Sequence, residues 1–170
     1  SQWFYHQCFY SKQKENGKKK DRRSKKNLLP IEIYIIVLIN TNSRGFERKI
    51  LISLKKYKIS LICLAGYMKI LSREFLKNFR KKIINIHPSL LPKFKGLDTF
   101  AKVLKNKEIK TGCTVHYVNE KLDNGKNIVQ KSFFISLNDD KNSLKVKTQQ
   151  LEYIAYPEAI IKIFRYINII

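Results

Sequence analysis

The sequence predicts an α/β protein: a mostly parallel sheet, flanked by helices, that ends in an antiparallel hairpin. Three observations carry this expectation. β-Branched apolar runs recur at residues 31–39 (IEIYIIVLI), 59–65 (ISLICLA) and 83–87 (IINIH), the texture of strands buried on both faces. The intervals between them have helical periodicity, and strand, helix, strand, helix, strand at this spacing argues for parallel units with right-handed crossovers. Farther on, Asn124-Gly125 lies between two strand-like runs, residues 112–118 and 127–135, and Asn-Gly is a strong hairpin signal.

Each element has a local reason. Pro30 marks the entry to the first strand, and Asn40-Thr41-Asn42-Ser43 forms a turn cluster able to cap a helix. The helix expected over 46–57 carries Ile50, Leu51, Leu54 and Tyr57 at helical spacing. Gly66 stops the second strand. Ser72 reads as an N-cap, with Phe75, Leu76 and Phe79 on one helical face. A helix over 97–106 follows the third strand. Asp139, Asp140 and Asn142 open a C-terminal helical region that Pro157 is expected to interrupt. Its second part, residues 158–167, carries Ile160, Ile161, Ile163 and Phe164 for packing on the sheet. Residues 1–29 read as a basic, disordered tail and 30–170 as one domain.

Composition narrows the function classes. Four prolines and six glycines in 170 residues exclude a low-complexity or collagen-like chain. Cys8, Cys63 and Cys113 are far apart and form no C-x-x-C pair. Neither a zinc site nor a disulfide framework is expected, and reduced thiols fit a cytoplasmic protein. No apolar run approaches the roughly 18 residues of a membrane span, and the first residues lack the apolar core of a signal peptide. The formal charge is +22, and residues 1–30 hold nine Lys or Arg against one Glu and one Asp. Basic chains often bind nucleic acid, and aromatic residues Trp3, Phe4, Tyr5, Phe9 and Tyr10 precede the basic run. The chain is equally loaded with Ile and Asn, however, a bias of the kind AT-rich codons produce. The charge is therefore a weak argument for a nucleic-acid partner, and small-molecule substrates are expected instead, in a monomer or homodimer.

The stretch Asn85-Ile86-His87-Pro88 carries the chemistry. Asn85 and His87 leave a strand end on one face, two residues apart, and Pro88 keeps His87 out of helical geometry. Carboxyl ends of strands are where open α/β sheets bind ligands. A structural Asn and His at a strand end is the competing reading. Asp123, in the turn before the hairpin, is the third candidate. Acyl transfer to an amine needs a donor for an oxyanion, a group that moves a proton, and a carboxylate that orients it. Asn85, His87 and Asp123 are residues of those types, and direct attack by an amine needs no nucleophilic side chain. Cys113 then reads as core and Ser89 as a loop hydrogen-bonder.

These residues sit in a pattern that resembles the folate-dependent formyltransferases. Asn85-Ile86-His87-Pro88-Ser89-Leu90-Leu91-Pro92 and Leu122-Asp123-Asn124-Gly125 are similar to the family's active-site blocks. Leu64-Ala65-Gly66-Tyr67-Met68-Lys69-Ile70-Leu71 resembles its folate-side segment. Phe94-Lys95-Gly96-Leu97, then Thr111-Gly112-Cys113-Thr114-Val115-His116-Tyr117-Val118, resemble the blocks after the active-site strand. Glu152, before Tyr156-Pro157, is similar to a substrate-contacting glutamate. The resemblance covers residues 61–164. The N-terminal half is shortened and atypical: residues 11–27 stand where the family has a Gly-Ser-Asn loop for the substrate phosphate.

The resemblance implies a Rossmann-like sheet of the formyltransferase type. It implies formyl transfer from 10-formyltetrahydrofolate, as co-substrate, to the amine of phosphoribosylglycinamide in purine biosynthesis, with no metal. Asn85 would hold the oxyanion, His87 would manage the proton, and Asp123 would position His87 or a water. Met68, Lys69, Ile70, Leu71, Glu120, Lys121 and Leu122 would line the folate pocket, while Pro88 and Glu152 would meet the substrate. His116 matches a family position and reads as a structural strand histidine. Two alternatives accompany this reading. One is an impaired copy that keeps the fold without binding the nucleotide. The other is a related module acting on another amine or on aminoacyl-tRNA.

Overall fold

A computed structural model describes residues 33–36, 46–56, 59–67 and 70–166. The tail, the Asn40–Ser43 turn cluster, and Tyr57, Met68 and Lys69 lie outside the described residues. Five strands and four helices follow in the order β1 (Ile33–Ile36), α1 (Phe46–Lys56), β2 (Leu61–Leu64), α2 (Arg73–Asn78), β3 (Lys82–His87), α3 (Thr99–Lys105), β4 (Lys110–Tyr117), β5 (Asn127–Phe134) and α4 (Lys141–Tyr166). The sheet runs β1-β2-β3-β4-β5. β1, β2 and β3 pair in parallel, while β3–β4 and β4–β5 pair antiparallel. The parallel front and antiparallel close are those expected from the apolar runs and the Asn-Gly turn.

Two-residue alternation assigns the faces. Ile62, Leu64 and Ile83 pack with Leu51 and Leu54 of α1 and with Phe75 and Phe79 at α2. Leu61, Cys63, Ile84, Ile86, Cys113 and Val115 point the other way, against Ala155, Ala159, Ile163 and Phe164 of α4. The sheet is therefore covered on both sides, as its continuous apolar strands require. Asn85 and His87 share the parity of Ile83. They project on the α1–α2 side, at the carboxyl end of β3.

Helix ends follow their sequence signals. The Ser72 hydroxyl accepts from the Phe75 amide at 3.0 Å, and Glu47 in the first turn of α1 accepts the Ser72 amide at 3.1 Å. Lys55 and Lys56 close α1, where cations suit the helix dipole. At α4, Asp140 and Ser143 cap reciprocally: the Ser143 amide donates to Asp140 at 2.7 Å and the Asp140 amide to the Ser143 hydroxyl at 2.9 Å.

One expectation is corrected. Pro157 does not interrupt the C-terminal helix, which is continuous from Lys141 to Tyr166. Proline removes the hydrogen bond to the carbonyl four residues back, here that of Tyr153. Pro157 and Tyr153 are both exposed, so water can satisfy that carbonyl. Meanwhile Ala155, Ala159 and Ile163 keep the buried face in register. Tyr156 adds a polar anchor, its hydroxyl donating to the Leu64 carbonyl at 2.8 Å and lying 3.4 Å from that of Ile84. Among the described residues no helix is long and apolar enough to cross a membrane.

Gly112 shows how tightly β4 meets β5. A Cβ there would stand 1.9 Å from the Lys131 carbonyl oxygen and 2.7 Å from the Ser132 Cα. Gly112→Ala must push the two strands apart and should lower unfolding stability by about 2–3 kcal/mol. Urea unfolding of the pair checks this, and an unchanged midpoint would contradict the close approach.

Candidate active site

β3 and β4 build the floor of the site. Their register sets Asn85 opposite His116 and His87 opposite Thr114, so four polar side chains share one face. The loop after His87 is pinned from β4 and β5. The Thr114 hydroxyl donates to the Ser89 carbonyl at 2.6 Å and accepts the Leu91 amide at 3.1 Å. Gln130 donates to Thr114 at 2.9 Å and to the Leu91 carbonyl at 2.8 Å. Ser89 bonds the Lys93 carbonyl at 2.7 Å. Pro88, half-buried, starts this fixed loop, and the Leu91-Pro92 peptide is cis.

Asp123 lies between two histidines. Its Oδ2 is 3.3 Å from His87 Nδ1 and its Oδ1 is 3.6 Å from His116 Nε2. The side chains are 8%, 7% and 3% exposed for Asp123, His87 and His116, so water barely screens them. The far nitrogen of each ring meets a carbonyl: His87 Nε2 meets Phe94 O at 2.9 Å, and His116 Nδ1 meets Tyr117 O at 2.8 Å. The Gly96 amide donates to Asp123 at 2.9 Å.

A neutral imidazole has one N–H, and each of these rings faces an oxygen acceptor from both nitrogens. Neither a carbonyl nor an ionised carboxylate donates, so each neutral ring gives its one N–H to one of two acceptors, and the Asp123 carboxylate, held low by both rings, is the anionic one. His116 Nε2 is a buried atom without a hydrogen-bond partner. With both histidines neutral, the cluster carries the negative charge of Asp123 and shares two N–H groups among four ring-nitrogen-to-oxygen approaches. Burial lowers the His87 pKa below its ordinary value, against the opposing pull of the Phe94 carbonyl and the Asp123 charge. Burial works to raise that of Asp123. The His116 ring, the Gly96 amide and His87 outweigh it and hold the carboxyl below the usual range.

Backbone conformation is unusual in the same place. Phe94, Gly96, Asp98 and Asp123 have φ of 56°, 76°, 55° and 44°. For the three with side chains this left-handed state costs on the order of 1–3 kcal/mol each. It aims the Phe94 carbonyl and the Gly96 amide at the cluster.

Beside the cluster is a small, partly open cavity lined by Leu64, Tyr67, Ile70, Leu71, Asn85, His116, Val118, Asn119, Lys121, Leu122 and Asp123. Asn85 makes no side-chain hydrogen bond among the described residues, and its Oδ1 is buried and orphaned. Its amide is thus uncommitted and faces a space a ligand can enter.

The structure thus brings together Asn85, His87, Asp123, Ile70, Leu71, Lys121 and Leu122. Glu120 stands apart from the wall, 3.4 Å from Arg73. Glu152 lies on α4 beside Cys113, whose thiol burial pushes up to about 12, with the Glu152 charge adding to it. No contact joins Glu152 to Asn85, His87 or Asp123 among the described residues. His116, read as structural, lines the cavity and faces Asp123. The Phe94 carbonyl, the Gly96 amide and Asn119 were missed. Backbone groups leave no side-chain signature, and the two-residue alternation of β4 places His116 on the face of Thr114 without revealing that it meets Asp123. Among the described residues no group of three or more His, Cys, Asp or Glu is arranged to hold a metal ion.

An α/β sheet with a parallel front, an antiparallel close and an Asn–His–Asp group at the end of β3 defines a class, and the comparisons agree. The Formyl transferase family profile matches residues 7–160, and the chain belongs to that family. Within the family it is 41% identical over 115 residues to the trifunctional purine biosynthetic protein adenosine-3 of Drosophila melanogaster, covering 68% of this chain and 8% of that protein. It is 42% identical over 107 residues to phosphoribosylglycinamide formyltransferase of Haemophilus influenzae, covering 63% of this chain and 50% of that enzyme. The chain therefore spans half the length of this bacterial relative and a small part of the trifunctional one. Among solved structures, phosphoribosylglycinamide formyltransferase of Bacillus halodurans superposes with a TM-score of 0.68 at 34% identity, covering 73% of this chain and 64% of that one. The enzyme of Streptococcus pneumoniae gives 0.68 at 30% identity, over 74% and 70%.

Glu152 titrates in an unusual range. Burial raises its carboxyl from 4.5 to about 7, and no cation pairs with it among the described residues. An acid with a raised folded pKa keeps a proton that the unfolded chain has already lost between those two values. Stability therefore falls as pH rises from about 4.5 to about 7 and levels off above. Glu152→Gln should match the parent near pH 4.5 and be more stable at pH 8, by at most about 3 kcal/mol. Unfolding curves across this range check it, and a constant difference between the two proteins would refute it.

Proposed function

We propose that the chain transfers a formyl group from 10-formyltetrahydrofolate to the amine of a phosphoribosylglycinamide, in the cytoplasm, as a step of purine biosynthesis. The observation that carries this reading is the uncommitted amide of Asn85, in a cavity wall shared with Asp123 and His116 and beside the buried His87–Asp123 pair. The family supplies the group transferred, and the relatives' names supply the acceptor.

The cavity suits the folate side, with apolar Leu64, Ile70, Leu71, Val118 and Leu122 for a flat ring and Asn119, Lys121 and Asp123 for its polar edge. Met68 and Lys69 belong to the same segment of sequence and complete this side in the proposal. Folate supplies the activated formyl carbon. The amine attacks that carbon, a C–N bond forms, and the carbonyl oxygen gathers negative charge. The Asn85 amide N–H donates to this oxygen. The amine loses a proton, which His87, backed by the Asp123 carboxylate, accepts. Collapse breaks the bond to the folate nitrogen, which takes up the proton and leaves. Atoms and charge balance without a metal or a covalent enzyme intermediate. Pro88 and Glu152 are the proposed substrate contacts, with Glu152 approached from the α4 side.

Purified chain should form the formylated product from both substrates, followed by the absorbance of released tetrahydrofolate. Asn85→Ala should lower kcat about 10²–10³-fold and Asp123→Asn about 10²–10⁴-fold. A folded preparation that gives no product would sink the reading. So would an Asn85→Ala variant with parental kcat.

A further inference from the structure

The outer face of α4 departs from the charge pattern of the other helices. The chain holds 35 Lys or Arg in 170 residues, and α1, α2 and α3 all carry exposed Lys or Arg. On α4, Val146, Gln150, Tyr153, Ile154, Pro157 and Ile161 are all exposed and none is charged. Tyr153 is 78% exposed and Ile154 58%. At 3.6 residues per turn the six fall within an arc of about 100° and extend over about 22 Å of helix. Steps of four, three, four and four residues, from Val146 through Gln150, Tyr153 and Pro157 to Ile161, are those of a helix–helix seam. Charges beside this strip are paired within the molecule: Glu158 with Lys131 at 2.6 Å and Lys162 at 3.0 Å, and Lys147 with Asp139 at 2.7 Å. A contiguous strip free of charge has the composition of an interface core, where charges are depleted and Tyr is enriched.

The same strip carries an unmatched acceptor and an unmatched donor. Proline has no N–H, so Pro157 leaves the exposed Tyr153 carbonyl without its helical donor. The Gln150 side-chain amide makes no hydrogen bond among the described residues. Helical side chains lean toward the N-terminus while carbonyls point toward the C-terminus, so Gln150 turns away from the Tyr153 carbonyl of its own helix. Two α4 helices packed antiparallel about a point between Tyr153 and Ile154 remove the mismatch. Gln150 of one copy then stands opposite the partner's Pro157, within reach of the carbonyl that Pro157 leaves open. The same register sets Val146 opposite the partner's Ile161, and Tyr153 opposite the partner's Ile154. An acidic partner would find no free cation on the strip itself, since Lys145 and Arg165 lie at its flanks.

We propose that the outer face of α4 is a two-fold contact between copies of this chain, with Val146, Tyr153, Ile154 and Ile161 as its apolar core and Gln150 donating to the partner's Tyr153 carbonyl. Two-fold symmetry makes each of these contacts twice. The inference does not depend on the reaction proposed above. One helix pair buries less than the roughly 1,600 Å² of a standard interface, and a chain of formal charge +22 repels its copy. The dimer is therefore weak, and salt strengthens it by screening that repulsion.

Sedimentation equilibrium of the full chain, from ~10 μM to ~1 mM and at low and high salt, tests this. A dimer should form within that range, and its Kd should fall as salt rises. Tyr153→Lys should weaken dimerisation about tenfold or more while keeping the parental circular dichroism. Ile109→Lys, an equal charge change at a residue 74% exposed elsewhere on the fold, should leave Kd within about twofold. Gln150→Ala removes two hydrogen bonds per dimer and should weaken it about fivefold or more. A chain that stays monomeric at ~1 mM overturns the proposal, whether or not it sediments with phosphatidylserine vesicles. A dimer indifferent to Tyr153→Lys lies on another face and overturns it too. So does a dimer that loosens as salt rises, because ion pairs would then hold it. Parental Kd in Gln150→Ala would overturn the antiparallel register.

Discussion

The antiparallel register of β3 on β4 is the constraint on which the site depends. It places Asn85 against His116 and His87 against Thr114, and so decides which polar groups can meet. What fixes the register is apolar. Ile84 and Ile86 must lie under α4 with Cys113 and Val115. A slip of one residue would turn those side chains out and bury Asn85 and His87 in a hydrocarbon layer. Burial of one face therefore aims the chemistry of the other.

Around that floor the contacts are mostly to main chain. Thr114 and Gln130 hold the loop after His87 through carbonyls and an amide, and Phe94 and Gly96 address the cluster with backbone groups alone. This explains why left-handed φ values gather at Phe94, Gly96, Asp98 and Asp123. A short chain that must present a carbonyl and an amide to neighbouring targets has to reverse its direction within a few residues. The strain is tolerated because His87, Asp123 and the adjoining strands over-determine the path.

Much of this was legible in the sequence, for identifiable reasons. Strand runs, helix faces and the Ser72 cap follow from periodicity and local hydrogen bonding. Asn85 and His87 stand out because polar residues interrupt an apolar strand just before a proline. Asp123 was a candidate because it precedes an Asn-Gly turn, and the family resemblance reinforced it. The facing of His116 toward Asp123 was not legible, because it depends on a cross-strand register that no local pattern specifies. Pro157 misled for a related reason. Its local penalty is real, but it falls on an exposed carbonyl while the buried face of α4 runs uninterrupted. Glu152 matched by sequence position and lies on α4 beside Cys113, the strand neighbour of Thr114, rather than among Asn85, His87 and Asp123.

The order in which the chain closes on itself gives the antiparallel half a further meaning. β3, β4 and β5 follow one another in sequence as antiparallel neighbours, and α4 returns directly over them. Every group of the proton-sharing cluster belongs to this continuous stretch. The other wall of the cavity, at Leu64 and Tyr67, belongs to β2 and its following loop, tied to the sheet by parallel pairings. Nearby contacts form with less loss of chain entropy than distant ones. The reactive groups are thus written in one uninterrupted segment, and the cavity beside them is completed by the parallel edge.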